Sequence, residues 1–143
     1  MTKTVIHSIT VEFGDCDPAA IVWFPNFYRW IDAASRNFFV QCGVPRWEET
    51  AQTLGIIGTP LVDSKASFSK TASYGDRLDI AVTITEWRNK SFVQSYRCTR
   101  VRADGAEPDL IMSCEEVRIF AAKREGGGIR AVAPPDSIHQ LCS

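Results

Sequence analysis

The 143-residue chain has only two histidines, His7 and His139, and no GxSxG segment. Catalysis by a Ser or Cys nucleophile paired with an imidazole therefore has little to draw on. The five cysteines, at positions 16, 42, 98, 114 and 142, include no CxxC spacing. An odd count without that spacing indicates neither a zinc site nor a disulfide framework. No apolar run approaches the roughly 18 residues of a membrane-crossing helix. The opening MTKTVIH lacks the apolar stretch of a secretory signal, so the expected location is a reducing cytoplasm. Charge of one sign is missing too: 16 Lys and Arg stand against 17 Asp and Glu, for a net charge of −1. That balance, without a basic run, argues against nucleic acid or an anionic membrane as the main partner.

What the sequence does have is material for a core. Four Trp, eight Phe and three Tyr in a chain that is 45% hydrophobic exclude intrinsic disorder. The length predicts a single domain over 1–143. Residues 5–13 alternate, with Val5, Ile9, Val11 and Phe13 on one face, and read as a strand in which His7 is the odd inward member. Gly14 to Pro18 breaks it. A helix follows, with Pro25 in its first turn and Phe27, Trp30, Ile31, Ala34 and Phe38 at helical spacing, until Gly43 and Pro45 stop it. A short helical piece is expected over 47–54. Beyond Ile56 the texture turns to strands: one through Leu78, Ile80, Val82 and Ile84, one through Phe92, Tyr96 and Cys98, one from Ile111 to Ala121, and a last short one near 129–133. Pro134-Pro135 then introduces a C-terminal helical turn. Residues 87–91 and 104–108 read as hairpin links, and short links imply antiparallel pairing. The expected class is α+β, with one long helix against an antiparallel sheet.

Candidate chemistry is sparse. Cys16 sits between two carboxylates, which disfavour a thiolate, and reads as a plain buried cysteine. Asp15 and Asp17 form a D-x-D after an apolar strand, but no second acidic cluster is available to complete a Mg²⁺ site. The pair can simply make a turn by taking loose backbone N–H groups. Asp17 also lies just ahead of a helix whose first N–H groups are free. A carboxylate near such donors supplies two parts of an acyl-transfer site: a base or nucleophile, and a stabiliser of the oxyanion.

The run EFGDCDPAAIVWFPNFYRW (12–30) resembles the signature of the hot-dog-fold acyl-CoA thioesterases, and within them the 4-hydroxybenzoyl-CoA thioesterase group, which uses neither a metal nor a nucleophilic Ser or Cys. The likeness continues through DAASRN (32–37), GTP (58–60), TASY (71–74), EWR (86–88) and KSFVQ (90–94) to the closing LCS. It implies a long helix wrapped by an antiparallel sheet of five to six strands, and no cofactor. It further implies dimers packed into a homotetramer, with active sites at subunit interfaces. By position it makes Asp17 the catalytic carboxylate and the Phe24 N–H the donor that polarises the thioester carbonyl. Asp32, Trp47 and Thr59 fall on the acyl pocket, and Arg88 and Lys90 on the coenzyme A phosphates. Phe24 stands where Tyr is usual in that group, and Asn89 replaces a basic residue. The implied substrate is an aromatic acyl-CoA, 4-hydroxybenzoyl-CoA or a close aryl-CoA. The alternatives are hydrolysis of a short or branched aliphatic acyl-CoA, or a non-catalytic module that binds acyl thioesters. Each residue also has a structural reading: Asp32 as a solvated helix charge, Trp47 as a core plug, Arg88 and Lys90 as edge-strand charges that block aggregation.

Overall fold

A computed structural model of the chain describes residues 2–143. Strand β1 (Thr4–Thr10) leads through a 3-10 turn at Phe13–Asp15 to helix α1 (Pro25–Gln41) and a short helix α2 (Trp47–Thr53). Strands β2 (Leu61–Phe68), β3 (Arg77–Trp87), β4 (Phe92–Arg100) and β5 (Asp109–Arg118) follow. Two short strands, β6 (Phe120–Lys123) and β7 (Ile129–Val132), form a separate ribbon before helix α3 (Asp136–Cys142). The large sheet is antiparallel in the order β1-β3-β4-β5-β2. This is the hot-dog layout: one long helix on the face of a five-stranded antiparallel sheet.

The alternation in β3 does what its sequence predicts. Leu78, Ile80, Val82 and Ile84 are buried, and the residues between them are less so. On α1, Phe27, Ile31, Ala34, Phe38 and Phe39 bury against this face. The helix ends as its glycine dictates. Gly43 takes φ +88°, its N–H reaches Val40 O at 3.0 Å, and the Val44 N–H reaches Phe39 O at 3.0 Å. That pair of bonds is the Schellman closure, which favours glycine because a Cβ disfavours the left-handed conformation.

Three expectations change, and one strand is added. Phe13 does not continue β1; the strand ends at Thr10, and Phe13 lies exposed in the 3-10 turn, edge-on to Tyr74 at 5.9 Å. Glu12 and Asp15 form a reciprocal cap there, which competes with extended backbone. The stretch from Ile111 to Ala121 is two strands, because Ile119 leaves the ladder to donate to Pro60 O at 3.2 Å. Strand β2 had no clear pattern because it is an edge with little burial on either side. Cys16 is half-buried rather than buried.

Among the described residues no helix is long and apolar enough to cross a membrane. Phe38 is fully buried between the helix and the sheet. Phe38→Ala should therefore lower unfolding free energy by about 3–5 kcal/mol, read from the midpoint of a urea titration.

Candidate active site

The loop between β1 and α1 is folded back on itself. The Asp17 N–H donates to Ile21 O at 2.9 Å and the Trp23 N–H to Asp15 O at 2.9 Å, with Cys16 and Val22 bridged between them. Asp17 O accepts from the Ala20 N–H at 2.9 Å, and Asp17 Oδ1 accepts from the Ala19 N–H at 2.9 Å. The turn is closed by Ala20 at φ 64°, the left-handed region that alanine enters at a cost. Asn26, buried in the first turn of α1, donates its Nδ2 to Asp15 O at 2.8 Å and ties the loop to the helix.

This arrangement keeps both readings of the acidic pair. Asp15 caps the 3-10 turn, with Oδ2 taking the Glu12 N–H at 2.8 Å. Asp17 is half-buried, and one of its oxygens serves the turn. Among the described residues, no hydrogen bond engages its Oδ2. The Phe24 N–H likewise donates to no acceptor among them, because Pro25 opens the helix and the bonds of the first turn begin with the Asn26 N–H on Trp23 O. Phe24 itself is 60% exposed. A carboxylate oxygen and an N–H, both unspent, thus sit on one rigid loop at the positive end of α1.

A cavity of about 440 Å³ lies along the helix, away from that loop. Its lining includes Tyr28, Asp32, Ser35, Trp47, Thr59 and Arg118, so three of the sequence-predicted residues are brought together. Asp17 and Phe24 do not line it. Trp47 is half-buried and edge-on to Phe39 at 5.5 Å, so it is at once a core plug and a cavity wall.

Beneath the cavity runs a polar network that the sequence reading passed over. Arg118 Nε donates to Glu116 Oε1 at 2.9 Å and Nη2 to Glu116 Oε2 at 3.2 Å. Its Nη1 donates to Thr59 O at 2.8 Å, and Nη2 also reaches Asp32 Oδ1 at 3.1 Å. The Tyr96 hydroxyl donates to Glu116 Oε1 at 2.5 Å, and Ser35 Oγ donates to Gln94 Oε1 at 2.6 Å. Burial pulls the Arg118 guanidinium toward its neutral form, but the hydrogen bonds and charge of Glu116, with the hydrogen bond to Asp32, outweigh it and hold the cation firmly. Burial, then the Glu116 charge and hydrogen bond, push the Tyr96 phenol far above its ordinary range, so it stays a neutral donor. A signal was present in the strand alternation. Met112, Cys114, Glu116 and Arg118 share one parity, so the charges had to face inward with the apolar residues.

Arg88 and Lys90 lie at the exposed β3–β4 hairpin, which the Arg88 N–H closes on Ser91 O at 2.8 Å. Arg88 pairs with Glu86 at 2.8 Å. Lys90 has no ion-pair partner among the described residues. No cluster of metal-ligating side chains occurs among them either.

Comparison with known proteins places this geometry. The profile of the thioesterase-like superfamily matches residues 11–141. The 4-hydroxybenzoyl-CoA thioesterase of Pseudomonas sp. strain CBS-3 is 48% identical over 143 residues, covering 100% of both chains. A crystal structure of a 4-hydroxybenzoyl-CoA thioesterase carrying D17N and complexed with 4-hydroxybenzoyl-CoA superposes with a TM-score of 0.92. It is 46% identical and spans 98% of this chain and 99% of its own. A gentisyl-coenzyme A thioesterase is 27% identical, with a TM-score of 0.74, over 94% of this chain and 99% of its own.

The strained turn makes a direct prediction. Ala20→Gly should raise stability by up to about 1 kcal/mol, and Ala20→Val should lower it by about 1–3 kcal/mol, since only glycine enters the left-handed region freely. Thermal melts of the two variants measure both.

Proposed function

The chain belongs to the thioesterase-like superfamily, and from that premise we propose that it hydrolyses aromatic acyl-CoA thioesters, 4-hydroxybenzoyl-CoA foremost, to the free acid and coenzyme A. The observation that carries the reading is the folded-back loop, which presents an unspent Asp17 oxygen and an unspent Phe24 N–H at the start of α1. The Phe24 N–H takes the thioester carbonyl oxygen and stabilises its developing negative charge. Asp17 then acts in one of two ways. It attacks the carbonyl carbon and expels the coenzyme A thiolate, leaving a mixed anhydride that water opens; or it takes a proton from the water that attacks. Either route consumes one water and releases one carboxylic acid and one thiol. A main-chain donor is indifferent to the side chain it belongs to, so Phe24 serves.

The cavity residues Asp32, Trp47 and Thr59 hold the aromatic acyl group, and the Asp32 carboxylate accepts a hydrogen bond from a ring hydroxyl. Arg88 and Lys90 meet the coenzyme A phosphates. The exposed Arg88–Glu86 pair is worth little in water, so a phosphate can draw the guanidinium away. Because Asp17 does not line the cavity, the reading requires a second copy whose loop completes it. Edge strand β2, with Leu61, Val62 and Phe68 exposed, supports a dimer, and dimers pair into a tetramer. All of 1–143 is then one catalytic domain. Its five free cysteines suit the cytoplasm.

Asp17→Asn should leave the melting temperature near wild type and lower kcat by roughly 10²–10⁴, followed as thiol release from 4-hydroxybenzoyl-CoA. Activity within about threefold of wild type would return Asp17 to a turn-forming role. Arg88→Ala and Lys90→Ala should raise KM with little change in kcat, because phosphate contacts are alike in the ground and transition states. The KM penalty should shrink with added salt, since exposed charges are screened. Steady-state kinetics at low and high ionic strength measure both.

A further inference from the structure

Arg118 is placed to do more than balance a buried charge. Its side chain is 7% exposed and that of Glu116 4%, whereas the side chain of Asp32 is 68% exposed. The guanidinium therefore spans from the interior to the cavity. On the inner side, the two Glu116 oxygens fix its plane. On the outer side, its free edges reach two separate walls of the cavity: the Thr59 carbonyl, in the loop before β2, and Asp32 Oδ1, on α1. Those walls belong to elements far apart in sequence, and this one planar fork joins them. The bond to Oδ1 also sorts the Asp32 carboxylate. One oxygen faces the arginine, and Oδ2 has no hydrogen bond among the described residues.

We propose that Arg118 is a positioning residue that sets acyl-group specificity, holding Asp32 and the Thr59 loop so that one carboxylate oxygen is aimed at a ring hydroxyl. The inference rests on the aryl-CoA reading above. A lysine in this place keeps the charge but has one nitrogen with three donors, so it cannot reproduce the four contacts that Arg118 spreads over three nitrogens. A misplaced Asp32 serves a hydroxylated ring poorly and leaves an unsubstituted ring untouched. Specificity built on a hydroxyl partner is lost in this selective way, because the penalty falls only on the substrate that makes the bond.

The test compares kcat/KM for 4-hydroxybenzoyl-CoA and benzoyl-CoA in wild type, Arg118→Lys, Asp32→Ala and the double variant, with melts recorded for each. Arg118→Lys is expected to cut the hydroxybenzoyl-to-benzoyl ratio by about tenfold while benzoyl-CoA turnover stays within about threefold. In the Asp32→Ala background, Arg118→Lys should shift the ratio no further, because the two act through one contact. An unchanged ratio in folded Arg118→Lys overturns the proposal, as does an equal loss on both substrates, which marks a purely structural arginine. Should Arg118→Lys fail to fold, Glu116→Gln carries the same test, since it loosens the fork while keeping its shape; an unchanged ratio there is equally fatal. A wild type that shows no preference for the ring hydroxyl sinks the acyl-pocket reading of Asp32 and this inference together. A wild type that discriminates while the variants keep its ratio sinks this inference alone.

Discussion

A glutamate and an arginine lie side by side under the long helix, on the inner face of a sheet that is otherwise largely apolar. Taking two charges out of water is costly, and that cost is met only when nearly every polar atom around them has a partner. Here the constraint reaches outward in all directions. It requires a neutral tyrosine at 96, draws the Thr59 carbonyl inward, and leaves Asp32 as the one charge that still meets solvent. The shape of the cavity follows from satisfying a buried ion pair. Gln94 Nε2, the one buried side-chain polar atom without a partner among the described residues, shows how nearly complete the satisfaction is.

The β1–α1 loop obeys a different constraint. It is anchored in the core by Val11 and Val22, and between them it is folded by main-chain hydrogen bonds, an Asx turn and the Asn26 amide. Between those anchors its order comes from polar geometry, so it keeps a carboxylate half-buried yet available. The apolar residues it displaces outward, Phe13, Trp23 and Phe24, are exposed, Phe13 edge-on to the exposed Tyr74. A surface of that composition suits burial against another protein surface.

Much of this was legible from residue patterns, and the exceptions are instructive. Helix α1 was readable because apolar spacing, an initial Pro25 and a terminal Gly43 agree; β3 was readable because its alternation is strict. Strand β2 was not, since an edge strand with both faces near solvent carries no period. Asp17, Asp32, Trp47 and Thr59 stood out through their resemblance to a known motif, whereas the spacing of Asp17 alone favoured a plain turn. The left-handed Ala20 was hidden because alanine announces no turn. Arg118 and Glu116 were hidden for another reason: charged residues are read as surface by default, and only the parity they share with Met112 and Cys114 says otherwise.

The order of the sheet has a consequence for synthesis on the ribosome. Neither strand of the N-terminal half has a partner nearby in the chain: β1 pairs with β3, and β2 pairs with β5, which ends at Arg118. The emerging half, through Phe68, holds α1 with its apolar face bare and two strands with open edges. It can bury neither until the β3–β4–β5 meander has followed, an interval on the order of several seconds at ordinary elongation rates. Such non-local pairing also slows folding in free solution. The nascent chain is thus most exposed to aggregation in mid-synthesis, when its stickiest helix is complete and the surface that will cover it has not yet been made.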